Sequence, residues 1–126
     1  MPKEAISTSN APAPGAPYSQ AIRAGDFLFV AGQVPIDPTT RKIVGDTIEE
    51  QTAQVLANIK SILAAAGASM GDVVKSTVHL SDLAHFARFN EEYVKHFPDP
   101  LPVRTTVGSQ LLGFMVEIDV IAYVGE

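Results

Sequence analysis

Between Phe27 and Ile36 the chain reads FLFVAGQVPI, a nearly unbroken apolar run bounded by Gly25-Asp26 and Asp37-Pro38. Branched and aromatic residues bracketed by turn formers predict a β-strand buried on both faces. Gly32 inside it predicts a bulge or a close backbone approach. The period then changes. Thr47-Ile48-Glu49-Glu50 is a capping box, and Ile48, Thr52, Val55, Leu56, Ile59, Ile62, Leu63 and Ala66 follow at helical spacing. Gly67 ends that helix. Residues 72–80, DVVKSTVHL, alternate again, with Val74, Ser76, Val78 and Leu80 on one face and Lys75, Thr77 and His79 on the other. A second helix over 83–97 sets Leu83, Phe86, Phe89, Asn90, Tyr93 and Phe97 on one side, and Pro98 and Pro100 stop it. Strands at 102–108 and 115–124 close the chain.

This order predicts an α/β (α+β) domain, a mixed sheet with two helices packed on one face. In the last strand Val116, Ile118, Val120, Ala122 and Val124 form a wholly apolar face that suits the helices. The opposite face carries Met115, Glu117, Asp119, Ile121 and Tyr123. In the preceding strand Arg104, Thr106 and Gly108 alternate with Val103, Thr105 and Val107. We assign Arg104 and Thr106 to the same mixed face as Glu117 and Asp119, with Lys75 beside them. Its charges do not suit a monomer core, and its large apolar groups do not suit open solvent. The expectation is an oligomer whose subunits share that face, with a polar pocket where they meet. The alternative is a structural ion pair of Arg104 with Glu117 or Asp119.

Composition narrows the function classes. With 126 residues and 46% hydrophobic content, the chain is expected to form one domain, 1–126, with a real core. A net charge of −5 with nine basic residues leaves no electrostatic footprint for nucleic acid. The absence of cysteine excludes disulfides, thiolate nucleophiles and cysteine-ligated zinc, and fits a reducing compartment. Residues 1–20 lack a signal-peptide pattern, and no apolar run approaches the roughly 18 residues of a membrane span. A cytoplasmic protein without a membrane partner is expected. His79, His85 and His96 lack metal-ligand spacing, so no metal is expected. No glycine-rich phosphate loop precedes a helix. The stretch APAPGAP (11–17) reads as an ordered or semi-ordered loop. Asp82 reads as a helix start and Asn90 as a buried turn contact. The Phe86, Phe89, Tyr93 and Phe97 stripe reads as core, and Asp72, Glu91 and Glu92 as solvated charges.

The segment LPVRTTVGSQLLGFMVEIDVIA (101–122) resembles the C-terminal signature of the Rid family, the reactive-intermediate deaminases once grouped as YjgF-like proteins. PYSQAI (17–22), VAGQVPIDP (30–38), EEQTAQVLANIKSILAAAG (49–67) and DLAHFARFNEEY (82–93) follow in the family's order and spacing. The resemblance covers nearly the whole chain. It implies a chorismate-mutase-like fold and a homotrimer with clefts between subunits. It also implies hydrolysis of enamine and imine intermediates, such as 2-aminoacrylate, 2-iminopropanoate and 2-iminobutanoate, to 2-oxo acids and ammonia, without a cofactor. The family's substrate-binding arginine maps onto Arg104, its acidic residue onto Glu117 and its loop tyrosine onto Tyr18. Three departures stand out. Thr106 replaces a cysteine, Ala31 replaces a serine, and the segment between Arg104 and Glu117 is about two residues shorter than in well-known deaminases of the family.

The chemistry suits these side chains. A guanidinium binds a substrate carboxylate bidentately, so Arg104 is the expected anchor, with Tyr18, Gly32 and Thr106 as further substrate contacts. Glu117 is expected to position water or carry protons, and Gly32 admits close backbone approach. Two other classes compete: a 2-oxo-acid-binding module without turnover, and a ribonuclease, which the acidic charge and lack of a histidine pair disfavour. Within the deaminase class, a larger enamine such as 2-aminomuconate is the alternative substrate.

Overall fold

A computed structural model describes residues 2–125. The strands are β1 (Glu4–Ile6), β2 (Ala21–Ala24), β3 (Phe27–Gln33), β4 (Val73–Leu80), β5 (Val103–Gly108) and β6 (Val116–Tyr123). The helices are α1 (Ile48–Ala65) and α2 (Phe86–Tyr93). One sheet takes the order β1-β2-β3-β6-β4-β5, in which only the β4–β5 pair is parallel. The last strand thus enters between β3 and β4, and β5 is an edge. Both helices lie on one face, giving the mixed α+β architecture expected from the sequence.

α1 forms where the period predicts it. Thr47 accepts from the Glu50 amide, and Glu50 returns bonds to the backbone N–H groups of Asp46 and Thr47. Gly67 follows the C-terminus with φ +76°, a conformation that favours glycine. Ile48, Val55, Leu56, Ile59, Ile62 and Leu63 are buried, as are Val116, Ile118, Val120 and Ala122 of β6, which face them. Helix period and strand period therefore meet in one core.

Four expectations need correction. The run 27–36 is not a strand buried on both faces: β3 ends at Gln33, and Leu28 and Val30 are buried while Phe27 and Phe29 are exposed. Helices cover only one side of it within a chain. In β4 the pairing with β6 shifts register between Val73 and Lys75, so Val73 is buried and Val74 is exposed. The inserted residue breaks the simple alternation. The segment 83–97 is not one helix. Short 3₁₀ turns at Leu83–His85 and Val94–His96 flank the eight residues of α2. Leu83 and Phe86 are exposed, whereas Phe89, Tyr93 and Phe97 are buried.

The fourth correction changes the functional picture. In the β4–β5 ladder Arg104 lies opposite Ser76 and Thr106 opposite Val78, and in the β4–β6 ladder Ser76 and Val78 lie opposite Val120 and Ile118. Paired residues share a face. Arg104 and Thr106 therefore stand on the helix side of the sheet, and Glu117 and Asp119 on the other. Alternation along β5 separates its residues into two sets; only the register with β4 says which set faces the helices. A direct Arg104 ion pair with Glu117 or Asp119 within one chain is ruled out by that register.

The sheet face away from the helices is left uncovered. It carries Phe27, Phe29, Tyr123, Val103 and Val107, all exposed, together with Ile121, Lys75, Thr77, His79, Glu117 and Asp119. Burial pushes the Asp119 carboxyl above its ordinary value of 3.8, outweighing the nearby His79 and Lys75 charges that pull it down. A raised folded pKa means the folded protein favours the protonated form. This group's contribution is most favourable at low pH and declines as pH rises through the folded value. Asp119→Asn should accordingly raise the Tm at pH 7 and lose that advantage near pH 3, which melts at the two pH values will check.

Candidate active site: two half-sites on opposite faces

Three of the expected residues meet in one cleft. Tyr18, Gly32 and Glu117 line a space of about 490 Å³ with Ala31, Leu112 and Phe114. Tyr18 ends the proline-rich segment, which the buried Gln20 fastens down. The Gln20 carboxamide donates to the carbonyls of Thr8, Ala11 and Pro12 and accepts from the Thr8 amide. That segment is ordered by one side chain that sequence reading did not single out. Tyr18 itself stays half exposed.

Gly32 sits where β3 slips register against β6, between Val30 and Gln33. A Cβ built there would overlap Glu117 Oε2 and stand 3.0 Å from its carboxyl carbon. The bulge and the close approach expected at Gly32 thus coincide, with the Glu117 carboxylate occupying the space of the missing side chain. Because the obstructing atom is the end of a flexible side chain, Gly32→Ala should cost little stability, about 1 kcal/mol or less. It should displace the carboxylate and impair whatever Glu117 does. A normal melt beside a turnover loss as large as that of Glu117→Gln is the expected result.

Arg104 lies elsewhere. Its Nη2 donates to Asn90 Oδ1 at 2.7 Å, and its guanidinium carbon stands 4.8 Å from the Tyr93 ring centroid, 5.4 Å from Phe89 and 5.6 Å from Phe86. Tyr93 is held in turn by a 2.6 Å hydrogen bond with buried Ser76. Arg104 thus rests on aromatic faces, an arrangement that favours guanidinium. Among the described residues no carboxylate pairs with it. It lines a second cleft of about 320 Å³ with Asn90, Tyr93, Val94, Leu101 and Pro102. Thr106 lies two residues along the same face of β5.

Asn90 is therefore not a simple turn contact, and the aromatic stripe is more than core. The available signal was the stripe itself, in which one amide at helical spacing among aromatics needs a polar partner. The reading of Asp82 as a helix start stands, whereas that of Glu92 as a solvated charge does not. Asp82 caps the turn at 83–85 by accepting from the Ala84 amide. Glu92 is less free than expected, since it takes 2.7 Å and 3.4 Å contacts from His96 and Lys95, and Asp72 bonds the Ser69 amide. Among the described residues, no group of three or more acidic or histidine side chains could hold a metal ion. No helix among the described residues is long and apolar enough to cross a membrane.

Comparison with known proteins places the chain in a family. The family model described as endoribonuclease L-PSP matches residues 8–124. A RutC family protein of Pyrococcus horikoshii is 54% identical over 123 residues, 96% of this chain and 98% of that protein. Reactive Intermediate Deaminase A, chloroplastic, of Arabidopsis thaliana is 47% identical over 122 residues, 95% of this chain and 65% of that protein. The crystal structure of RidA from an Antarctic Psychrobacter superposes with a TM-score of 0.92 at 40% identity, covering 96% of this chain and 99% of that chain. With nearly its whole length matched by sequence and by structure alike, the chain belongs to the Rid family.

Proposed function

We propose that this protein hydrolyses reactive 2-imino acids and their enamine tautomers to 2-oxo acids and ammonia, at sites that two copies of the chain complete together. The observation that carries this reading is Arg104, a guanidinium clamped by Asn90 and three aromatic rings with no carboxylate partner among the described residues. An oriented, unneutralised guanidinium in an open cleft suits a small carboxylate ligand. Membership of the Rid family, with a reactive-intermediate deaminase among its relatives, supports imine hydrolysis as the chemistry.

The reaction needs little machinery. Water adds to the C=N carbon, the resulting amine is protonated, and ammonia leaves as the carbonyl forms. Atoms balance as imino acid plus water giving 2-oxo acid plus ammonia. Arg104 would hold the carboxylate, Glu117 would take the proton from the attacking water and return it to nitrogen, and Tyr18 would donate to the polar end of the substrate. Positioning a substrate between anchor and base supplies much of the barrier reduction. Thr106 would line the carboxylate end beside Arg104.

Arg104 and Glu117 face opposite sides of one chain's sheet, so a site containing both needs two chains. Arg104 lies on the edge strand β5, and the mixed sheet face away from the helices, with Phe27, Phe29, Val103, Val107 and Tyr123 exposed, is uncovered in the single chain. Both facts support a closed ring of copies in which the β5 edge of one subunit meets the Tyr18–Glu117 cleft of the next, and the Rid-family resemblance makes that ring a homotrimer. Complementation tests this directly. Arg104→Ala and Glu117→Gln should each be inactive on freshly generated 2-aminoacrylate. Co-refolded in equal amounts, they should recover about one quarter of wild-type activity, because a cleft takes its two halves at random from two chains. No recovery would place both residues in one chain's site and defeat the shared-site reading. An unchanged imine lifetime with wild-type protein would defeat the deaminase reading and leave a carboxylate-binding module.

A further inference from the structure

The turn between β5 and β6 carries a feature that carboxylate and proton chemistry do not use. Leu112, at its tip, is 90% exposed, the most exposed large apolar residue described. A single exposed leucine is ordinary on a mobile loop, but this one is pinned at both ends. At the β5 end the Ser109 amide donates to the Leu80 carbonyl, and Ser109 Oγ pairs with His79 Nδ1 at 2.7 Å. At the β6 end the Met115 amide donates to Gln51 Oε1 at 2.8 Å, and the Ser81 amide donates to the Met115 carbonyl. Gln51 is buried and also donates to the Gly45 carbonyl, so α1 itself holds the loop. Gly113, with φ +88°, supplies the left-handed backbone of the turn directly after Leu112.

Leu112 and Phe114 together line the cleft that contains Glu117, and Ala31 and Val34 add to its apolar wall. In the same cleft the polar groups are few: the Glu117 carboxylate and the Tyr18 hydroxyl. A short, anchored turn thus sets two large apolar side chains beside the proposed proton carrier. Nothing in imine hydrolysis requires them there, because neither can bind a carboxylate, hold water or move a proton. What they can do is exclude water from the part of the ligand that does not react.

We infer that the 109–115 turn, through Leu112 and Phe114, is the specificity element of this site, selecting 2-imino acids with an apolar side chain over those with a polar one. The inference rests on the proposed deaminase reading for its substrate class, but the apolar wall is independent of turnover. An aliphatic side chain lying against Leu112 and Phe114 removes apolar surface of both from water, which favours binding. A carboxamide or hydroxyl side chain in the same place loses water without a hydrogen-bonding partner.

The test uses imines generated in place from alanine, leucine and asparagine by an amino-acid oxidase. Wild-type kcat/KM should favour the leucine-derived imine over the asparagine-derived one by about tenfold or more, the usual scale of discrimination by a partly open apolar pocket. Leu112→Ser should lower the ratio of leucine-derived to alanine-derived kcat/KM by about tenfold, and Leu112→Met should restore most of it. Equal ratios in wild type and Leu112→Ser would overturn the inference. Light scattering on the same variant must show the wild-type particle mass; dissociation would assign Leu112 to a subunit contact and overturn it too. If wild type hydrolyses no imine, the deaminase reading fails by itself. Calorimetry then decides the wall separately: 4-methyl-2-oxopentanoate should bind more tightly than pyruvate, with the difference lost in Leu112→Ser, and equal affinities would overturn the inference.

Discussion

Arg104→Ala should lower kcat/KM for imine hydrolysis by about 10²–10⁴ and leave the chain folded. Two charged hydrogen bonds to a carboxylate, each contributing roughly 1.5–3 kcal/mol, set that range. Stability should change far less. The side chain makes one hydrogen bond within the chain, to Asn90, and its contacts with Tyr93, Phe89 and Phe86 are worth about 1 kcal/mol at a partly exposed site. With no Glu117 or Asp119 on its face, removal strands no buried carboxylate. Arg104→Lys should fail nearly as badly, because an ammonium offers a point charge where a planar fork is needed. Initial rates beside thermal melts check both outcomes. A variant that loses activity only in proportion to lost folded protein would show a structural role instead.

Phe29→Asp should dissociate the assembly and with it abolish turnover. Phe29 is 45% exposed in the single chain and stands between Ile22 on β2 and Ile121 on β6. Neither strand neighbour offers a cation. If this face is buried between copies, the new carboxylate has to give up water without a partner. An uncompensated buried charge costs roughly 3–5 kcal/mol, or about 10²–10⁴ in the association constant at each contact. The chain's own core lies on the other side of the sheet, so far-UV circular dichroism should remain that of a folded chain. Light scattering then separates the cases. A variant with wild-type particle mass and full activity would mean that the Phe29 face is not where copies meet.

These two expectations draw on different levels of information. The helix at 48–65 was legible in the sequence because its cause is local. A capping box, a helical apolar stripe and a terminal glycine act within a few residues of one another. The apolar set 116, 118, 120 and 122 was legible for the same reason, since strand geometry alternates side chains whatever the partner strand. Gly32 was legible as a close-approach point, though not what approaches it. The bulge at 73–75 and the breakup of the second helix into turns were not legible, because pairing and packing against distant residues decide both.

Resemblance to a family brought Arg104, Glu117 and Tyr18 together as names. Tertiary structure alone decided where they stand. Alternation along β5 is the same whichever way the strand is phased, and nothing local distinguishes Arg104 facing the helices from Arg104 facing away. The parallel register of β5 on β4 makes that choice by setting Arg104 beside Ser76 and over the aromatic side of α2. The entry of β6 between β3 and β4 makes the other, bringing Glu117 against Gly32. Sequence by itself determined where α1 forms and which residues of β6 make its apolar face, because both follow from interactions within a turn or a strand. Which side chains meet depends on contacts made across tens of residues, and only the folded sheet establishes them.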